Sequence, residues 1–188
     1  MNLFRLSRIA SAFAASMTLA GAAFGKEPRI PDAYQTIAGL YKIPPDIFYA
    51  VALQESGRYD ERAAAREPWP WTLNVEGDGY YYASHTEAWN ALLDYVVDGR
   101  TNIGIGLMQV TWPYNQYALV DVYGALDPDT NLRLGAQVLS ACYDMTGDWW
   151  LAVGCYHSPG SSEVRRKRAT AYTARVKKRW ERVVGEAP

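Results

Sequence analysis

Several residue types that would support other functions are scarce in this sequence. Among its 188 residues there are only two histidines, His85 and His157, and two cysteines, Cys142 and Cys155. Their spacing fits no zinc site, so we expect neither a metal nor a cofactor. Neither charge sign is in excess, because 19 Lys and Arg residues stand against 20 Asp and Glu residues. This balance does not call for a nucleic-acid partner, and we expect none.

Long apolar runs are also missing, except at the start of the chain. Arg5 and Arg8 precede an apolar, small-residue run from Ile9 to Phe24, and Gly25 completes a small-residue cleavage motif. These features predict a cleavable signal peptide over residues 1–25 and a periplasmic location. A membrane anchor is the weaker alternative because the run is short and rich in Ala and Ser, and no later segment could span a bilayer.

Export would place both cysteines in an oxidising compartment. Each lies in a predicted helix, and the turn Thr146-Gly147-Asp148 separates the two helices. Two antiparallel helices joined in this way can bring Cys142 and Cys155 together, although the helical phase decides it. We favour a disulfide, with two buried thiols as the alternative.

Aromatic residues, in contrast, are abundant, with 7 Trp and 14 Tyr. Such an excess suits a groove that stacks on sugar faces, although aromatic side chains also fill protein cores. The composition therefore permits a carbohydrate-binding function without requiring it.

Glu55 stands near the end of an apolar helical run, two residues before Gly57, and we predict a helix over residues 45–56 that stops at this glycine. Phe48, Val51 and Ala52 precede Glu55 by seven, four and three residues, so they share its helical face. A carboxylate on an apolar stripe is poorly solvated, and its pKa rises as a general acid requires. The alternative is a helix-end glutamate whose carboxylate reaches water.

The rest of the chain predicts a mainly helical, α+β lysozyme-like domain over residues 32–184, after a lead at residues 26–31. β-Branched and aromatic runs at 71–75 and 80–84 flank a turn and predict a small inserted β-hairpin. Residues 59–70 are expected to form a loop or short turn. Further helices are predicted over residues 32–41, 84–98, 127–146, 148–156 and from 161 or 162 to about 182. Residues 113–126 are predicted to form irregular structure or a short helix.

The last predicted helix is strongly basic. A solvated helix face is the simpler interpretation, and contact with an anionic polymer or surface is the functional one. Its basic residues are Arg165, Arg166, Lys167, Arg168, Arg175, Lys177, Lys178, Arg179 and Arg182.

Four sequence elements occur in an order that is specific when taken together. They are Glu55-Ser56, Gly106-Leu107-Met108-Gln109-Val110, Ala152-Val153-Gly154-Cys155-Tyr156-His157, and Tyr172 with Val176. In this order they resemble the catalytic Glu-Ser pair, the Gly-Leu-Met-Gln motif, the Ala-x-x-Tyr-Asn motif and the late tyrosine helix of the lytic transglycosylases with a soluble-lytic-transglycosylase (goose-lysozyme-like) domain. The resemblance covers roughly residues 32–182.

The inserted hairpin, the helix near Glu87 to Asp98 and the lead-in Asn102-Ile103 resemble the branch associated with conjugation and type III or IV secretion machines. The resemblance implies cleavage of the β-1,4 bond between N-acetylmuramic acid and N-acetylglucosamine in peptidoglycan glycan strands. It also implies a 1,6-anhydro end on the muramic acid, and components of such a machine as partners.

The same resemblance implies the site residues. Glu55 would be the catalytic acid and then base, Tyr172 would orient it, and Gln109 would reach the sugar or help hold Glu55. Two positions depart from the pattern, because His157 replaces an asparagine and Gly104 stands where secretion-associated relatives tend to carry an aspartate. The implied substrate-binding residues are Ser56, Gly106, Met108, Gln109, Tyr156, His157 and Tyr172.

Two other functions remain open from the sequence. A hydrolysing muramidase would need a second carboxylate, for which Asp60, Glu76 and Asp78 are the candidates. A non-catalytic wall-binding or assembly subunit would keep the groove and recruit partners through its basic last helix.

Overall fold

The structure is a computed structural model that describes residues 30–61, 65–112 and 123–185. The predicted signal peptide, most of the lead, and all but the end of the segment 113–126 lie outside these residues. Over the described part the chain forms six α-helices and six short β-strands, and the mainly helical lysozyme-like class is confirmed. The helices are α1 Asp32–Leu40, α2 Pro45–Ser56, α3 His85–Val97, α4 Pro128–Thr146, α5 Trp149–His157 and α6 Glu163–Gly185.

Helix starts follow the capping residues in the sequence. The side chains of Ser84, Asp127 and Asp148 each accept a hydrogen bond from a backbone N–H three residues ahead, at 3.2, 2.9 and 2.9 Å. Such caps satisfy donors that the first helical turn leaves free. The predicted starts of α3, α4 and α5 are therefore confirmed.

The predicted hairpin is present, but its turn is tighter than expected and its sheet is larger. β3 Thr72–Val75 pairs with β4 Asp78–Tyr81 across the two residues Glu76 and Gly77, both of which have positive φ. β5 Ile103–Ile105 adds to the other side of β3, and β6 Val110–Trp112 completes the antiparallel order β4-β3-β5-β6. The glycine-containing segment from 101 to 112 thus supplies two strands that the sequence analysis did not predict.

The prediction of a loop or short turn at residues 59–70 is wrong. β1 Gly57–Asp60 and β2 Ala65–Pro68 form a second, two-stranded antiparallel sheet. These strands lack the apolar alternation that marks a half-buried strand, so the sequence carries no clear signal for them. Tertiary contacts stabilise the pair, including a hydrogen bond from the Arg66 guanidinium to the carbonyl of Gly57.

The core surrounds α2. Seven of its 12 residues are buried, and they lie on all sides of the helix, as expected for a helix that neighbours cover on most faces. α1, α6, β1 and β2 pack against it. The buried residues of α2 are Ile47, Phe48, Ala50, Val51, Ala52, Leu53 and Ser56.

Two other helices bury only part of their apolar surface. In α3, Ala88 and Leu92 are buried, whereas Leu93 and Val96 stay 42% and 37% exposed. In α6, Tyr172 and Val176 are buried, but Val164 lies in the first turn and is exposed. Among residues 30–61, 65–112 and 123–185, no helix combines the length and apolarity needed to cross a bilayer.

Cys142 and Cys155 form a disulfide that joins α4 to α5, with their Cα atoms 5.8 Å apart. α4 ends at Gly147, whose left-handed conformation lets the chain turn directly into α5. The turn sets the helical phase that the sequence could not reveal.

Replacing both cysteines by alanine should lower the free energy of unfolding by about 2–4 kcal/mol, because the bridge closes a loop between residues 13 positions apart. Denaturant titration without reductant measures the change. The wild-type protein with reductant is the control and should match the variant. Equal midpoints for the variant and the oxidised wild type would show that the bridge adds no stability.

Candidate active site

Glu55 lies in the last turn of α2, at the edge of the core. Phe48, Val51 and Ala52 on its face have no exposed surface, and Glu55 itself is only partly exposed. Desolvation raises the pKa of Glu55 from 4.5 to about 7, although a hydrogen bond from Tyr172 and the charge of Arg175 act in the opposite direction. The carboxyl group is therefore substantially protonated at neutral pH, as a general acid must be.

Tyr172 of α6 reaches across the core to this carboxyl group. Its hydroxyl donates a hydrogen bond to Oε1 of Glu55, and only 1% of the residue is exposed. Burial and the neighbouring Glu55 charge keep the pKa of Tyr172 well above its ordinary value, so the phenol remains a donor. The two residues are 117 positions apart, and the packing of α6 on α2 brings them together.

Tyr156 ties α5 to the loop that follows β5. Its hydroxyl donates to the carbonyl of Met108 at 2.6 Å. Burial and the charge of Glu55 raise the pKa of Tyr156 well above 10. Tyr156 is therefore close enough to Glu55 for the charge of the carboxylate to act on it.

Asn131 of α4 fixes the same loop, and the sequence analysis missed it. Its amide donates to the carbonyls of Ile105 and Ala125 at 2.9 and 2.8 Å, and its oxygen accepts from the N–H of Met108 at 2.8 Å. Gly106 has φ +76°, and a Cβ there would lie 2.4 Å from the Asn131 amide nitrogen. The sequence offered one signal for this role, an asparagine among the apolar positions of α4. A polar side chain at such a position is expected to be buried and therefore to need hydrogen-bond partners.

Gln109 makes different contacts from those expected. It has positive φ, and its amide nitrogen donates to the carbonyls of Gly106 and Thr72 at 2.9 and 3.2 Å. It thus ties the loop to the sheet instead of bonding to Glu55. A Cβ at Gly104 would lie 2.6 Å from Oε1 of Gln109, so an aspartate there would displace the glutamine from this position.

Three of the expected substrate-binding side chains are buried. Ser56 and Met108 have no exposed surface and Tyr172 has almost none. The Ser56 hydroxyl donates to the carbonyl of Leu107 at 2.8 Å, and Met108 packs closely against Gly135. Ser56 and Met108 present almost no surface to a sugar, so the structure favours supporting roles for them over direct contacts. The supporting role of Tyr172, its hydrogen bond to Glu55, is one that the resemblance implied.

His157 is exposed and lies next to the buried ring of Tyr172. Its ring stacks on the Tyr172 ring with centroids 4.4 Å apart and an interplanar angle of 2°. Desolvation against this neighbour, together with the charges of Arg175 and Arg168, lowers the pKa of His157 below 6.5. The imidazole is therefore mainly neutral at pH 7.

The candidate second carboxylates do not join this group. Glu76 is held by Arg100 at the β3–β4 turn, and Asp78 is exposed in β4. Neither of them, nor Asp60, is among the groups that shift the pKa of Glu55. Within the described part of the chain, no three His, Cys, Asp or Glu side chains are grouped to hold a metal ion.

A lysozyme-like helical fold with a protonatable carboxyl group at the edge of its core indicates the class of glycan-cleaving domains, because cleavage of a glycosidic bond needs a general acid. Comparison with known families identifies which one. The family described as the transglycosylase SLT domain matches residues 32–180. The chain therefore belongs to this family of lytic transglycosylases, glycan-cleaving lyases that act on peptidoglycan. No curated protein and no solved structure matched the chain.

Replacing Asn131 by leucine should lower the free energy of unfolding by about 3 kcal/mol or more, because buried backbone groups lose their partners. Gln137→Leu on the exposed side of the same helix is the matched control and should change it by less than about 1 kcal/mol. Denaturant titration compares the two. Similar losses in both variants would contradict a supporting role for Asn131.

The raised pKa of Glu55 predicts a pH-dependent stability. Below about pH 4.5 the group is neutral in both states, whereas between 4.5 and about 7 the unfolded chain loses its proton first. The free energy of unfolding should therefore fall across this interval, by about 3 kcal/mol relative to Glu55→Gln, and level off above it. Denaturant titrations from pH 4 to 8.5 measure this, with Glu181→Gln on the exposed surface as control. A constant difference between wild type and Glu55→Gln would refute the assignment.

Proposed function

We propose that this enzyme is exported to the periplasm and cleaves the β-1,4 bond between N-acetylmuramic acid and N-acetylglucosamine, leaving a 1,6-anhydro end on the muramic acid. The observation that supports this most directly is the state of Glu55. It is one carboxyl group with a pKa of about 7, bonded to Tyr172, and none of the candidate second carboxylates influences it. A single group that can both give and take a proton suits a reaction that needs no water.

In the first step, Glu55 donates its proton to the glycosidic oxygen. The Tyr172 hydroxyl occupies Oε1 of Glu55, so the proton is carried on Oε2, the oxygen that remains for the substrate. The bond from the anomeric carbon to the leaving oxygen breaks, and the N-acetylglucosamine unit leaves with the proton. The substrate's own N-acetyl group stabilises the cationic carbon, which replaces the second carboxylate of an ordinary glycosidase.

In the second step, the ionised Glu55 accepts the proton of the 6-hydroxyl of the same muramic acid. The freed oxygen closes on the anomeric carbon, and the protonated acid is restored without a water molecule. The hydrogen bond from Tyr172 favours the ionised form and so lowers the energy of the state between the two proton transfers. A pKa near 7 lets one group serve in both directions.

The biological setting that we propose is local opening of the cell wall for a conjugation or secretion apparatus. The basis is the resemblance of the β3–β4 hairpin, α3 and residues 102–103 to the branch that serves such machines. A cleavable signal peptide over residues 1–25 fits the same location. An enzyme placed beside such an apparatus would cut glycan strands only where the apparatus crosses the wall.

Mass analysis of fragments released from purified peptidoglycan tests the reaction. The wild-type protein should release fragments with 1,6-anhydro ends, one water lighter than hydrolysis products. Glu55→Gln should lose about a thousandfold or more of the activity, and Tyr172→Phe about tenfold to a hundredfold, because the acid then loses its orienting partner. Glu181→Gln is the control for both and should retain activity.

The products also separate the competing functions. Reducing muramic ends would identify a hydrolysing muramidase and overturn the proposed mechanism. The absence of any cleavage by a folded wild-type protein, with unchanged binding to peptidoglycan in Glu55→Gln, would instead identify a binding subunit.

A further inference from the structure

Three basic side chains gather around Tyr172, beside the catalytic carboxyl group. The guanidinium carbon of Arg175 lies 5.6 Å from the centroid of the Tyr172 ring, and the His157 ring stacks on the same residue. Arg168, one turn before Tyr172 on α6, is close enough for its charge to act on His157. All three residues are exposed. We refer to Arg168, Arg175 and His157 as the basic cluster.

The two arginines of this cluster differ from the three basic residues at the start of α6, each of which has a hydrogen-bond or ion-pair partner. Arg165 and Arg166 donate to backbone carbonyls of the preceding loop, and Lys167 pairs with Glu163. Among the ion pairs of the described residues, none includes Arg168 or Arg175. Neither arginine is therefore explained by holding α6 to its surroundings through an ion pair.

The position of Arg175 is also unfavourable for the free enzyme. Its charge lowers the pKa of Glu55 and so favours loss of the proton that the first step needs. A cation beside a general acid opposes the acid's function unless another charge compensates for it. Such a charge can come from the substrate, because a guanidinium binds a carboxylate with two parallel hydrogen bonds.

We propose that Arg175, assisted by Arg168, forms a carboxylate-binding subsite beside Glu55 that takes a carboxylate of the muramic acid unit or of the peptide attached to it. This inference rests on the proposed substrate. Muramic acid carries a lactyl group that ends in a free carboxylate. When a peptide is attached, this carboxyl group forms an amide bond, and the peptide supplies the free carboxylates instead. A strand of N-acetylglucosamine alone has neither group.

Two consequences follow from this subsite. A bound carboxylate offsets the charge of Arg175 and so removes one of the two effects that lower the pKa of Glu55. The correct substrate therefore keeps a larger fraction of Glu55 protonated for the first step. The subsite also discriminates against glycans without carboxylates, which leave the arginine uncompensated. Discrimination thus reaches the chemical step as well as binding.

The test measures binding without turnover. In the Glu55→Gln protein, calorimetric titration uses three probes of equal sugar length: a peptidoglycan oligosaccharide bearing peptides, the same oligosaccharide with its peptides removed, and a chito-oligosaccharide. Adding Arg175→Gln should weaken binding of at least one carboxylate-bearing probe by about tenfold or more. Binding of the chito-oligosaccharide should not change.

Arg182→Gln is the matched control, since it removes the same charge from an exposed position two helical turns, roughly 10 Å, further along α6. Arg175→Lys should recover part of the lost affinity, because the charge remains while the paired hydrogen bonds are lost. All three variants should have the same helical circular dichroism as the Glu55→Gln protein, which shows that they remain folded.

The outcomes separate the sources of the carboxylate. Loss confined to the peptide-bearing probe would assign the subsite to the peptide, and loss with the peptide-free probe would assign it to the lactyl group. An equal loss for the chito-oligosaccharide, no loss for any probe, or no measurable binding of the carboxylate-bearing probes would overturn the proposal. These measurements do not depend on cleavage, so they stand apart from the product analysis that tests the proposed function.

Discussion

The burial of α2 on almost all sides is the constraint on which the rest of this structure depends. A helix that is apolar around its whole circumference must be covered by several neighbours, and α1, α6 and the β1–β2 sheet cover it. Glu55 comes at the end of this helix, where the covering is nearly complete. The desolvation that raises the pKa of Glu55 is therefore a direct consequence of how the core is built.

Distant parts of the chain complete the surroundings of this acid through hydrogen bonds to backbone. Ser56 donates to the carbonyl of Leu107, Tyr156 donates to that of Met108, and Asn131 holds the same loop from α4. The loop is thus tied to α2, α4 and α5 at once. Ser56 and Tyr156, which the resemblance assigned to substrate binding, here hold this loop, and a rigid loop keeps the proposed catalytic groups in place.

The electrostatics of the site balance one large effect against two smaller ones. Desolvation raises the pKa of Glu55, while the Tyr172 hydrogen bond and the Arg175 charge lower it, and the result lies near 7. In the proposed mechanism, an acid without the Tyr172 hydrogen bond would hold its proton too tightly to act as a base in the second step. Without burial it would have no proton to give at neutral pH.

The sequence by itself determined the helical class, the helix starts capped by Ser84, Asp127 and Asp148, and the place of Glu55 on a buried stripe, because caps and periodicity are local properties. Only the tertiary structure decided the rest. The β1–β2 pair lacks a local pattern, and the disulfide depends on the turn between two helices. The partners of Gln109 and Asn131 were beyond local reasoning, since groups far apart in the chain find each other only when the core packs.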